Sequence, residues 1–585
     1  MLTDLDIESL GANTPMFCYQ CEQASKNKGC FYERGVCSKD ADLSSMMDCL
    51  IAGVYSLCLH ARPVVDAGIE IPNDWTKAIT ASSFLTLTNV QFEKSRIIPY
   101  VIAVQNARDQ AKALVQERGL APLTVSDEFG LKGCSEVAEW APEHTVEGIS
   151  SYGKQFGIVR RLKANGATVT GLQELIFYAV KGISAYSTHV SLAGGKIEAD
   201  GVAIIKLLSD VISGGKDLLE LALDAGKANL DVMARLDTAN TSSFGNPTFS
   251  KVSFRVYKGK AILMSGHDLH DLHGLLKATE GTGINVYTHG EMIAANAYPK
   301  LKEYAHFKGN FGTAWQNQRK EFALFPGSIV INTNCAMPPT PAYIDRVFTC
   351  NTVGLENVAH LESVDGEKDW TPVIQKALEL PGFEQDGSPL FEGTLDSQLI
   401  GAHHTTTVPL TSAVIDLVKQ GLLRRVIFIG GCDGSIGTRS YFSDLAKLVQ
   451  EKHTDCIVGG SACGVYRYIT KVDFGTLPGT DGFPRLLEFG QCNDTYSGIK
   501  LVASIAEQLG AGLNDVPISY FVSWFEQKAV AILCTLLFLG IKNIRLGPRL
   551  PAFLSEDALN VLIEKFNIKP ITTPEEDLAN ALNGN

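Results

Sequence analysis

From residue 260 onward the chain carries eight short, unbroken apolar runs, and these restrict its fold more than any other feature. They are KAILMSG (260–266), GINVYTHG (283–290), GSIVINTN (327–334), RRVIFIGG (424–431), DCIVGG (455–460), RLLEFG (485–490), PISYFVS (517–523) and KNIRLG (542–547), separated by stretches of helical spacing. A run apolar on both faces suits a strand covered on both sides, as in parallel sheets with helical crossovers. The segment PGFEQDGSPLFEGT (381–394), followed by HHTTTVP, divides the eight into three and five. Upstream, apolar positions recur at three and four, as in DLSSMMDCLIAGVYSLCLHA (42–61), TVTGLQELIFYAVKGI (168–183) and DLLELALDAGKANLDVMARL (217–236), which predicts helices. TANTSSFGNPTFS (238–250) lacks periodicity and reads as a boundary. The expected architecture is a multidomain α and α/β protein: an N-terminal segment with helical bundles over 1–240, then Rossmann-like parallel-sheet domains over 241–383 and 384–585.

In open parallel sheets, sites form beyond the carboxyl ends of the strands. Seven potential metal ligands follow seven of the predicted strands: His267, Glu291, Cys335, Cys432, Cys463, Cys492 and Glu526. None is adjacent to another in sequence, yet their shared topological position lets them converge. Cys49, Cys58, Cys134, Cys350, Cys456 and Cys534 lie within helical or strand patterns and read as small core residues. GGCDGSIGT (430–438) has the glycines of a phosphate loop but no Lys before its Thr. HDLHDLH (267–273) has a period that suits zinc, although its second and third histidines fall on a predicted helix whose exposed face accounts for them equally well.

The segment CYQCEQASKNKGCFYERGVC (18–37) places Cys18, Cys21, Cys30 and Cys37 at gaps of two, eight and six residues. Four cysteines so close suit an iron–sulfur cluster or a four-cysteine zinc site. The formal charge of −13 and the absence of a basic cluster argue against nucleic acid as a partner. The longest apolar run, AVAILCTLLFLGI (529–541), is shorter than a bilayer span and reads as a buried helix, so no membrane segment is expected. The first fifteen residues have no signal-peptide pattern, and a cytoplasmic location in which the fourteen cysteines stay reduced is expected.

The segments MFCYQCEQ, GHDLHDL, GTGINVYTHGEM, TNCAMPP, FIGGCDG, CGVYRY, GQCNDTYS, WFEQKAV and LGPRLPAFLS resemble the hybrid-cluster (prismane) proteins from Met16 to near the C-terminus. The resemblance implies a helical region followed by two α/β domains, and two iron–sulfur centres. One is an N-terminal cluster on Cys18, Cys21, Cys30 and Cys37. The other is a hybrid 4Fe-2O-2S cluster on His267, Glu291, Cys335, Cys432, Cys463, Cys492 and Glu526, with Cys432 as a persulfide and Lys528 at the cluster. The eight-residue gap matches family members with a 4Fe-4S cluster and favours four irons, whereas the six-residue gap matches those with a 2Fe-2S cluster. The resemblance further implies hydroxylamine reductase activity, with Glu291, Glu526 or Lys528 as proton donor and a separate reductase or ferredoxin-like protein as electron donor. Nitric oxide reduction and protein S-nitrosylation by a redox regulator form the alternative. Carbon monoxide dehydrogenases share the fold but bind nickel, so fold alone does not fix the reaction.

Overall fold

The computed structural model describes residues 3–11, 14–125, 135–364, 366–434 and 440–584. The chain forms two compact units, one of residues 1–236, 526–539 and 550–565, the other of residues 237–525, 540–549 and 566–585.

The first unit is helical. Its longest apolar helix, Ala41–Asp66, starts where the Asp40 side chain accepts the Leu43 N–H at 2.9 Å, an N-cap that satisfies one of the orphan donors of the first turn. By length and composition this helix is able to cross a membrane, but 78% of its most apolar window is buried within the protein. Helix Gln527–Phe538 also belongs here and is buried from Gln527 to Leu537. It lies against Ile158–Leu192, where Gly182 allows a close approach, and Gly226 of helix Leu218–Phe244 approaches it closely as well. A Cβ on Gly182 would stand 2.9 Å from the Gln527 carbonyl oxygen, and one on Gly226 would stand 2.1 Å from that of Cys534. The run at 529–541 is thus a buried helix, but it joins the helical unit rather than the C-terminal α/β region expected over 384–585. A helix apolar on every face has to be enclosed, and a helix covering a sheet keeps one face in water.

The second unit holds two six-stranded parallel sheets. The first comprises β1 Ala261–Ser265, β2 Asn285–His289, β3 Phe307–Asn310, β4 Ser328–Ile331, β5 Val347–Cys350 and β6 Ala359–Leu361. The second comprises β7 Arg425–Cys432, β8 Cys456–Gly460, β9 Leu486–Glu488, β10 Ile518–Trp524, β11 Arg545–Gly547 and β12 Lys569–Pro570. The spatial orders are β3-β2-β1-β4-β5-β6 and β9-β8-β7-β10-β11-β12, the doubly wound Rossmann order in each case. Each sheet has one switch point, where β1 pairs β4 (Leu263 with Ile329) and β7 pairs β10 (Phe428 with Tyr520). All eight apolar runs contribute strands. The core beside the first sheet is built from Ile262, Met264, Val286 and Val330 with Leu272, Leu275 and Leu276.

The two units part at 236/237, directly before the segment 238–250 expected to divide the chain, but that segment is not irregular throughout. Helix Leu218–Phe244 continues through most of it and ends at Gly245, whose φ is +81°. Thr241 Oγ1 donates back to the Asp237 carbonyl at 2.8 Å, and buried Phe244 packs on His270 with ring centroids 4.8 Å apart. Tertiary packing therefore carries turn-forming residues into the helix.

Candidate metal centres

In the first unit, Cys18, Cys21, Cys30 and Cys37 line one cavity. Cys18 and Cys30 exchange backbone hydrogen bonds, N to O at 3.0 and 2.7 Å, which clamp the two ends of the segment together. Burial, then the neighbouring Cys30 and Cys37, push the Cys18 thiol up to about 12. Burial and the other three sulfurs raise Cys21 well above its ordinary value. Four thiols lining one pocket are a sulfur-only donor set, and deprotonating them away from water requires compensating positive charge. Lys39 and Lys181 line the same cavity. Lys39 Nζ donates to the Leu87 carbonyl at 3.0 Å and Lys181 Nζ to Gln20 Oε1 at 2.7 Å, while burial draws both down to about 8. Neither lysine is evident from the cysteine spacing; the available signal is a cation inside the apolar stretch LIFYAVKGI.

In the second unit, the chain turns at the strand ends bring a mixed donor set together. His267 follows β1, Glu291 follows β2 and Cys335 follows β4; all three are buried, with ligand atoms within 4.8 Å of one another. His267 Nε2 lies 3.1 Å from Glu291 Oε2. On its other side Nδ1 lies 2.9 Å from Thr333 Oγ1, and in the tautomer whose Nδ1–H donates to that hydroxyl, Nε2 is the atom available to a metal. Glu291 Oε2 also accepts the Cys492 N–H at 2.7 Å, so a residue from the end of β9 holds a residue from the end of β2. Gln491 Nε2 donates to the His267 carbonyl at 2.9 Å. Cys463 is within hydrogen-bond reach of Cys335 and senses the charges of Glu291 and Cys432; burial pushes its thiol up to about 12. Cys432 ends β7 opposite Trp524. Cys335 and Ala462 adopt φ of +70° and +67°, conformations that cost non-glycine residues energy and are held by their surroundings.

The structure thus brings the ligand atoms of His267, Glu291 and Cys335 together, with Cys463 in reach of Cys335 and the Cys492 backbone amide on Glu291. Glu526 and Lys528 open helix Gln527–Phe538 of the helical unit, where Lys528 Nζ lies 3.5 Å from His189 Nε2 and over the Tyr186 ring. Of the two readings left open for HDLHDLH, the structure places His270 and His273 on helix Leu269–Thr279. His270 packs on Phe244, while His273 Nε2 pairs with the Tyr304 hydroxyl at 3.1 Å, and His267 alone faces Glu291. Of the glycine-rich segment, residues 435–438 lie outside the described residues, as does Cys134. Cys49, Cys58, Cys350, Cys456 and Cys534 are buried within helices and strands. Sequence reasoning missed His289, whose Nε2 meets Glu321 Oε2 at 2.9 Å and whose Nδ1 meets Ser265 Oγ at 3.0 Å directly before the turn to Glu291.

This donor set fits a metal cluster of mixed character. Four sulfurs suit iron and sulfide, while an imidazole and a carboxylate are harder donors that suit iron also bearing oxygen. Buried thiols and a buried carboxylate are costly to ionise without a compensating cation, which a metal cluster would supply.

The Prismane/CO dehydrogenase family model matches residues 16–579. The hydroxylamine reductase of Syntrophobacter fumaroxidans is 41% identical over 567 residues, covering 96% of this chain and 99% of that one. That of Actinobacillus succinogenes is 42% identical over 581 residues, covering 97% and 100%. Among solved structures, carbon monoxide dehydrogenase IV from Carboxydothermus hydrogenoformans matches with a TM-score of 0.53 and 14% identity, covering 100% of this chain and 95% of that one. The nickel-free carbon monoxide dehydrogenase from Thermococcus sp. AM4 matches with a TM-score of 0.51 and 16% identity, covering 99% and 92%. At such identities the likeness concerns the fold alone.

Proposed function

The chain belongs to the Prismane/CO dehydrogenase family, and from that premise we propose that it is an iron–sulfur oxidoreductase that reduces hydroxylamine, with two electrons and two protons, to ammonia and water. The observation that carries this reading is the buried meeting of His267, Glu291 and Cys335 with Cys463 and Cys492 beyond parallel strand ends. In this reading His267, Glu291, Cys335, Cys432 as a persulfide, Cys463, Cys492 and Glu526 hold a hybrid 4Fe-2O-2S cluster, and Cys18, Cys21, Cys30 and Cys37 hold a 4Fe-4S cluster. The bound hybrid cluster supplies single electrons and a Lewis-acidic iron.

The protein's own residues orient and protonate. Thr333 fixes the tautomer and plane of His267, and the Cys492 amide restrains one oxygen of Glu291. Burial of His267, Glu291 and Cys335 keeps bulk water from the reacting centre. A carboxyl oxygen of Glu291 or Glu526, or Lys528 Nζ, holds the proton that converts the departing hydroxide into water. Cys18 and Cys37 are partly exposed, which suits electron entry at the N-terminal site from a separate reductase or ferredoxin-like donor in the cytoplasm.

Anaerobic turnover with a low-potential donor tests the reading. The expected result is one ammonia formed per hydroxylamine consumed, at a kcat/KM above that for nitric oxide. Faster turnover of nitric oxide, or thiol nitrosylation without ammonia, would replace the assignment by nitric oxide reduction or redox regulation.

A further inference from the structure

The motif HHTTT at 403–407 takes no part in either iron centre, yet it assembles a third set of donors in the second unit. Asp237 lies on helix Leu218–Phe244, and His403 and His404 enter the helical turn at His404–Thr407 after the strand Ser397–Ile400. Their ligand atoms lie within 4.8 Å of one another. His403 Nε2 lies 2.7 Å from Asp237 Oδ1, and His404 Nε2 lies 3.9 Å from Asp237 Oδ2. The two rings therefore address opposite oxygens of one carboxylate, with centroids 4.0 Å apart.

We propose that Asp237, His403 and His404 bind a single zinc-class divalent cation. At 3.9 Å the His404 contact is too long for a hydrogen bond, although the ring is held facing the carboxylate. Tetrahedral ligands about 2.0–2.2 Å from zinc stand about 3.3 Å from one another, and the two observed separations bracket that value. A shift of about half an ångström in each ring completes the geometry.

The surrounding hydroxyls supply the support that ligating imidazoles require. His403 Nδ1 lies 2.9 Å from Thr405 Oγ1, and His404 Nδ1 lies 3.2 Å from Ser497 Oγ. With the metal bound, the protons reside on both Nδ1 atoms and these hydroxyl oxygens accept them. The 3.3 Å contact from the Thr405 amide to His403 Nδ1 is the interaction given up. The side chains of Asp237, His403 and His404 are 13%, 3% and 19% exposed, so water can reach the fourth position. The ion would join the end of helix Leu218–Phe244 to the segment that leads into the second sheet.

The test uses the anaerobically purified, iron-loaded protein incubated with equimolar zinc sulfate and desalted. The expected result is one zinc per chain whose X-ray absorption fine structure shows only nitrogen and oxygen neighbours near 2.0–2.1 Å. His404→Ala and Asp237→Asn should each weaken zinc uptake by at least ~10-fold. Both variants should keep wild-type iron content and hydroxylamine turnover, which separates this site from the iron centres. Zinc with sulfur neighbours near 2.3 Å, no retained zinc in the wild type, or equal retention in both variants would overturn the proposal.

Discussion

Thr333→Val probes how the second unit sets up its metal ligands. The change keeps the shape of a fully buried side chain and removes the hydroxyl that fixes His267 Nδ1 at 2.9 Å. A buried N–H left without its acceptor costs about 1–3 kcal/mol. Because His267 can escape that cost by rotating or changing tautomer, the loss is expected to fall on the grip on iron proposed for it. At about 1.4 kcal/mol per factor of ten, retention should fall by roughly 5- to 150-fold, in line with the roughly 10- to 100-fold effects of outer-shell changes in metal sites. The assay is an anaerobic chelator challenge, following iron per chain and the electron paramagnetic resonance signals with time. The hybrid-cluster signals should decay faster, the N-terminal signals should persist, and Thr333→Ser should restore most of the loss. Thr333→Val protein that holds its iron and turns over hydroxylamine at wild-type rates would refute the assigned orientation of His267.

Cys30→Ser should remove one set of iron signals and leave the other, because all four clustered cysteines lie in the helical unit; loss of both sets in a folded variant would contradict independent centres. Gly226→Ala should lower the apparent melting temperature, since its Cβ would press on the Cys534 carbonyl and overpacking costs about 1–3 kcal/mol; an unchanged melting point would mean the helices can separate freely. His60 donates from Nε2 to the Ala138 carbonyl at 3.0 Å, and burial lowers its pKa from 6.5. Below that value the unfolded chain binds the extra proton, so stability should rise as pH approaches 6.5 and level off above it. His60→Gln should flatten that slope in melting scans, and a slope that persists would assign it to other groups.

Much of this architecture was legible because parallel strands buried on both faces leave unmistakable apolar runs, and because sites in such sheets gather at strand ends. Phe307–Asn310 and Val347–Cys350 were not visible, since four-residue strands such as FKGN carry too little apolar sequence to register. The destination of 526–539 was hidden for a different reason: its all-round hydrophobicity demands enclosure but does not say by which unit. In the site, the shared place of His267, Glu291 and Cys335 beyond strand ends followed from topology, whereas their supports did not. Thr333 acts on a ring 66 residues earlier in the chain, and the Cys492 amide restrains a carboxylate 201 residues away. No local pattern records such partners, because the first bond exists only once two strands of one sheet are paired and the second only once both sheets are folded.

Iron-57 Mössbauer spectroscopy of Glu291→Ala, paired with ammonia formation from hydroxylamine by the same sample, tests the central claim most directly. Glu291 stands 3.1 Å from His267 and is anchored by Cys492, so its loss should alter or empty the second-unit centre, abolish or strongly lower ammonia formation, and leave the N-terminal iron spectrum unchanged. Wild-type spectra together with wild-type turnover would show that Glu291 neither holds iron nor carries a proton, and that the reaction centre lies elsewhere.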